Sequence, residues 1–184
     1  MPVQTPICDF GQKALPFELR STDNKIISLD DVKGVNGTLI MFICNHCPYV
    51  KAVTKEIVED CDELKKIGIN SVAVCSNDFV NYPEDSFDNM IKFSKDNQFS
   101  FPYLHDDTQE IAKYYDAVCT PDFFGYNKNL ELQYRGRLRE LKNFIPVKDG
   151  ESDLLKSMKQ IADTGNGPRD QIPSAGCSIK WKYD

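Results

Sequence analysis

Two cysteines flank a histidine in Cys44-Asn45-His46-Cys47. Thiols two residues apart can close into a disulfide and open again, so the spacing supports thiol–disulfide exchange. The same residue types suit half of a zinc shell or a peroxide-reducing centre, and two core cysteines lying close by chance is the plain alternative. The immediate context favours exchange. "TLIMFI" (38–43) is a compact apolar run that reads as a strand buried on both faces. A helix is expected from about Asn45 to Lys66, because Val50, Val53, Ile57, Cys61, Leu64 and Ile67 step by three or four along one face. Free N–H groups and the positive end of the helix dipole then stabilise a thiolate at Cys44. Cys44 is accordingly expected to attack and Cys47 to resolve. His46 is expected to lower the thiol pKa through a hydrogen bond or its charge, and Tyr49 to shield the sulfurs. The chain has no second Cys-x-x-Cys and no His-x3-His, so neither a metal nor another cofactor is expected.

A second piece lies at Thr120-Pro121, at the entry to an expected strand, where proline removes no central ladder bond. Set opposite a dithiol, a cis-proline leaves the preceding backbone free to pair with an extended substrate chain, giving Thr120, Pro121 and Tyr49 a substrate-binding role. A trans-proline that merely starts the strand is the alternative. Of the seven cysteines, Cys61 falls on the apolar helix face and Cys75 ends a buried strand, so both read as core. Cys119, two residues before Pro121, and Cys177, in the C-terminal segment, are candidate auxiliary thiols. An odd number of cysteines in a chain of this size does not read as a secreted disulfide framework.

The elements that must position these groups follow from periodicity and turn residues. "ALPFELRSTDNKIISLDD" reads as an N-terminal β-hairpin and "INSVAVCS" as a second buried strand. "YPEDSFDNMIKFSKDN" reads as a helix with Pro83 near its start. "DTQEIAKYYD" is a short helix capped by Asp106 or Asp107, and "DFFGYNKNLELQYRGRL" is a hairpin around Asn127-Lys128-Asn129. "ESDLLKSMKQIADTG" is a final helix. Residues 1–164 are thus expected to form one domain, with 165–184 an extended tail packed on it and anchored by Trp181. The alternation predicts an α/β fold, a three-layer α/β/α sandwich with a mixed central sheet.

Apolar residues are 41% and charged residues 27% of the 184, ordinary for a globular protein, and the net charge of −6 argues against a nucleic-acid footprint. "MPVQTPICDFGQ" lacks a signal peptide's basic and apolar regions, and the longest apolar run, Leu39 to Cys44, is too short to span a bilayer. A cytoplasmic protein without a membrane partner is expected; no oligomeric state follows from these features.

"FICNHCPYVK", "SND", "CTPDFF", "YRGR" and "PSAGCSIKW", spread over roughly residues 8 to 182, together resemble the thioredoxin superfamily, and within it the peroxiredoxin-like proteins grouped with the AhpC/TSA family. The resemblance implies a thioredoxin fold with an N-terminal β-hairpin extension, Cys44 and Cys47 as the redox pair, and Pro121 as a cis-proline. In the peroxidases so resembled, the peroxide-attacking cysteine falls at Cys47, a hydroxyl residue stands where this chain has Cys44, and an arginine stands in the register of Pro121. Arg135 and Arg137, near a strand end, read as solvated charges. The resulting expectation is a thiol–disulfide oxidoreductase acting on a protein or small-molecule disulfide or dithiol, with a separate reductant. The alternatives are a thiol peroxidase using Cys47, and a non-catalytic redox-sensing or metal-binding domain.

Overall fold

In chain order, the computed structural model, which describes residues 1–183, contains β1 (Val3–Gln4), β2 (Glu18–Ser21), β3 (Ile26–Ser28), α1 (Leu29–Val32), β4 (Gly37–Phe42), α2 (Pro48–Lys66) and β5 (Ile69–Cys75). After a 3₁₀ turn at Pro83–Asp85 come α3 (Phe87–Asp96), β6 (Tyr103–His105), α4 (Glu110–Tyr114), β7 (Cys119–Thr120), β8 (Asp122–Asn127) and β9 (Leu132–Tyr134). The chain closes with β10 (Leu141–Lys142), β11 (Ile145–Pro146), α5 (Asp153–Thr164) and β12 (Ala175–Ser178).

The apolar run at β4 is a central strand, buried along its length. Its side chains alternate, as the pleat requires. Leu39, Met41 and the following Ile43 face a core shared with α2, α3 and α5. Ile40 and Phe42 face a second core with α1 and α4. Seven strands are ordered β3-β2-β6-β5-β4-β8-β9. β4, β5 and β6 run parallel, whereas β8 and β9 on one side and the β2–β3 hairpin on the other run antiparallel to their neighbours. This is the thioredoxin fold, a mixed sheet between two helical layers, with the expected N-terminal hairpin at one edge. No helix among the described residues is long and apolar enough to cross a membrane.

Three boundaries differ from the sequence expectation, and each bears on the site. The helix expected from Asn45 starts at Pro48, with Cys47 as its N-cap. The helix expected to begin beside Pro83 is split: Pro83–Asp85 form the 3₁₀ turn, and α3 starts at Phe87 because the Ser86 hydroxyl accepts the Asn89 N–H at 3.2 Å. The C-terminal segment is more than a packed tail. Its β12 is the middle strand of a second, three-stranded sheet, ordered β1-β12-β7.

Candidate active site

The end of β4 and the start of α2 set the two sulfurs. Ile43 continues the β4 ladder by donating to the Val74 carbonyl at 3.0 Å, and the chain then leaves the sheet through Cys44, Asn45 and His46. Pro48, whose missing N–H is not needed in a first helical turn, opens α2 behind Cys47. Both cysteines are buried, at 1% and 0% exposure. Across from them the Thr120–Pro121 peptide bond is cis. Cys44 Sγ lies 3.5 Å from Thr120 Oγ1, and Cys47 Sγ lies 3.3 Å from the Thr120 carbonyl oxygen. The dithiol and the cis-proline loop, 76 residues apart, therefore form one site.

The sulfurs differ in their surroundings. Cys47 is held well below the ordinary thiol range, first by a hydrogen bond from Cys44 and then by Cys177, Thr120 and the Val50 N–H, against the cost of burial. Cys44 is pushed well above that range, because its proton is shared toward Cys47, because it is buried, and because the Asp85 carboxylate is near. The Thr120 carbonyl beside Cys47 Sγ favours a protonated Cys47 and opposes this assignment. One neutral S–H···O contact is weaker than the pull of the Cys44 proton and of the helix N-terminus, so the negative charge is assigned to Cys47.

Asp85 is the residue that sequence reasoning missed. The 3₁₀ turn aims its fully buried carboxylate at the loop between the cysteines. It accepts the Asn45 N–H at 2.8 Å and the Asn77 amide at 2.8 Å. The Asn45 side chain is held in turn by the Tyr103 hydroxyl at 2.8 Å. His46 turns toward Asp85, with Nδ1 2.6 Å from Oδ2, but the contact is bent and Nδ1 has no aligned hydrogen-bond partner. The His46 ring lies parallel to that of Tyr82, with centroids 6.1 Å apart. The only signal for Asp85 in the sequence was an acidic residue after a proline, which is common at helix starts.

Donor atoms of Cys44, His46 and Asp85 lie within 4.8 Å of one another. Two ligands of one tetrahedral zinc, each bound at about 2.0 Å, would be about 3.3 Å apart. The 2.6 Å His46–Asp85 contact is closer than that, so the trio as arranged is not a preformed zinc shell.

Tyr49 is half-buried, packs edge-on against Phe144 at 4.9 Å, and lines a cavity of about 230 Å³ with Pro121, Phe123, Leu138 and Ala175. Cys61 and Cys75 are core residues whose pKa values burial pushes up to about 12. Cys119 is also fully buried, with its thiol pushed up by burial and its Sγ 3.6 Å from the Pro121 carbonyl. Cys177 is placed opposite Thr120 by the β12–β7 pairing and packs on the core cluster that contains Cys44 and Cys47. The Thr120 backbone edge that a substrate chain was expected to use is thus occupied by the protein's own C-terminal strand.

Of the two arginines read as solvated charges, Arg135 is buried and Arg137 is part-exposed. Arg135 is paired with Asp122 at 2.9 Å and stacked on Phe124, because a strand neighbour supplies its carboxylate. Arg137 pairs with Asp153 at 2.7 Å, and Arg139 makes a buried two-pronged pair with Glu56.

Residues 10–141 match the AhpC/TSA family. The chain belongs to this family. Among solved structures, it is 42% identical to an uncharacterized conserved protein from Geobacillus kaustophilus, covering 100% of this chain and 98% of that one with a TM-score of 0.90. A hypothetical protein from Sinorhizobium meliloti 1021 is 29% identical over the whole of both chains, with a TM-score of 0.91. At 12% identity the AhpC/TSA fold is shared with peroxidoxin BcpB from Mycobacterium tuberculosis, with a TM-score of 0.59 over 83% of this chain and 92% of that one. A secreted disulfide oxidoreductase from Mycobacterium tuberculosis, 12% identical with a TM-score of 0.58 over 80% of this chain and 95% of that one, shares the same fold. No curated protein matches the chain.

Proposed function

We propose that the protein is a thiol–disulfide oxidoreductase whose redox pair is Cys44 and Cys47. The observation that carries this reading is the contact of both sulfurs with one residue, Thr120, ahead of the cis-proline. The Cys47 thiolate attacks a disulfide sulfur of the substrate, and that S–S bond breaks to release a thiolate. Cys44 then gives up its proton to the leaving group and attacks Cys47 Sγ, which frees the reduced substrate and leaves a Cys44–Cys47 disulfide. A separate dithiol reductant resets the pair; run backwards, the same steps oxidise a substrate dithiol. Cys47 rather than Cys44 takes the attacking role, because the helix caps at Cys47 and Asp85 disfavours charge on Cys44. His46 acts on Asp85 rather than on a sulfur, and Tyr49 with Pro121 forms the wall of the substrate cavity. Seven cysteines, an odd number, suit a reducing compartment such as the cytoplasm.

Insulin-disulfide reduction tests the reading: activity is expected in the wild type, lost in Cys47→Ser and lowered in Cys44→Ser. Stoichiometric zinc in protein purified without chelator would overturn it. A second reading, a thiol peroxidase, is favoured by the negative charge at Cys47. Against it, the three arginines of the "YRGRLR" stretch are each paired to a carboxylate. Peroxide consumption retained by Cys44→Ser and lost in Cys47→Ser would establish the peroxidase instead.

A further inference from the structure

The strand that fills the Thr120 edge carries its own thiol. β12 pairs antiparallel with β7, setting Cys177 against Thr120 and Ser178 against Cys119. The fit is close. A Cβ on Gly176 would lie 2.0 Å from the Thr120 carbonyl oxygen, so only glycine lets the strand approach this far. The segment is pinned on both sides of the cysteine. Ser174 donates its hydroxyl to the Pro121 carbonyl at 2.7 Å and its carbonyl accepts the Thr5 N–H at 2.9 Å. Beyond Cys177, the Lys180 N–H reaches Asn77 Oδ1 at 2.9 Å, and the Lys180 carbonyl accepts the Asp78 N–H at 2.7 Å. Cys177 is thus set opposite Thr120, whose carbonyl Cys47 Sγ contacts, in the manner of an extended substrate chain. Cys177 packs against the core cluster that holds Cys44 and Cys47.

We propose that Cys177 is a third redox thiol that resolves disulfides formed on Cys47, so that a Cys47–Cys177 disulfide alternates with Cys44–Cys47 and staples β12 over the cis-proline edge. This rests on the redox reading above. In the first route, Cys177 loses its proton and attacks Cys47 Sγ of the Cys44–Cys47 disulfide. That S–S bond breaks, and Cys44 leaves as a thiolate and takes up the proton; the exchange is neutral in electrons. In the second route, Cys177 attacks Cys47 Sγ in a mixed disulfide with substrate, and the substrate thiol leaves with the proton. The two electrons lost by Cys47 and Cys177 have then passed to the substrate disulfide. In either case the bridge fixes covalently a strand that already covers the edge while the three thiols are free.

The test uses full-length Cys44→Ser with the small disulfide cystamine. The expected product is a Cys47–Cys177 disulfide, found by peptide mapping, with two equivalents of cysteamine released and no adduct retained. Cys44→Ser/Cys177→Ser is expected to keep a cysteamine adduct on Cys47. An adduct that persists on Cys47 in Cys44→Ser while Cys177 stays free overturns the proposal. Should the serine variants fail to fold, wild-type protein poised in cystamine and cysteamine, quenched in acid and mapped, gives the same decision. A Cys44–Cys47 bridge with no trace of Cys47–Cys177 sinks the role of Cys177 alone. No disulfide at Cys47 under any poise sinks the redox reading with it.

Discussion

At the scale of single residues, the site depends on where one negative charge resides. Cys47 is drawn below the ordinary thiol range chiefly by its neighbour Cys44, while Cys44 faces the buried carboxylate of Asp85. Alkylation by iodoacetamide at Cys47 is therefore expected to stay nearly constant between pH 8 and pH 6. An ordinary thiol, with a pKa near 8.5, loses on the order of a hundredfold over that range. Cys44→Ala is expected to restore part of the lost slope, since the Cys44 hydrogen bond is the largest cause of the depression. In a Cys47→Ser background, Asp85→Asn is expected to move the onset of Cys44 alkylation to lower pH, because a neutral amide no longer repels a thiolate; an unchanged onset would remove Asp85 from the account. The two cysteines and Pro121 were legible in the sequence because residue type and spacing identify them. Asp85 was not, because its role comes from Asn45 and Asn77, which lie 40 and 8 residues from it in the chain.

At the scale of elements, the site is held where α2, α5 and the central strands meet. The Ser152 hydroxyl caps α5 by accepting the Leu155 N–H at 2.9 Å and donates to Asp60 of α2 at 2.6 Å. Ser152→Ala is expected to cost about 1–2 kcal/mol in urea unfolding, from the lost cap and an Asp60 left without its donor. Burial raises the Asp60 carboxyl to about 6, above its value in the unfolded chain. Between about pH 4 and pH 6 the folded protein binds the extra proton, so the Asp60 contribution to stability falls as pH rises through that window. Asp60→Asn is expected to flatten this part of the pH–stability profile, measured by thermal unfolding at several pH values. The helix faces and hairpins were readable because their periodicity and turn residues are local. The starts of α2 and α3 were not, because Cys47 and Ser86 act as caps only once the preceding chain leaves the sheet in a defined direction.

At the scale of the whole molecule, the two ends of the chain meet over the dithiol: β1 pairs with β12, and β12 with β7. Gly176→Val is expected to lift this strand, because the added side chain meets the Thr120 backbone. Faster amide exchange at Cys177 and faster alkylation of its thiol would report the change, with the seven-stranded sheet left intact; unchanged protection would mean that the strand tolerates the bulk. The sequence by itself determined the dithiol, the proline opposite it, the alternating layers and the AhpC/TSA resemblance, because these are written in residue types, short spacings and local periods. Only the tertiary structure decided which carboxylate faces the dithiol and that the Thr120 edge is filled by the chain's own Cys177 strand. Each of those depends on groups far apart in sequence, and their energies exist only after folding has removed water and brought the groups within hydrogen-bonding distance.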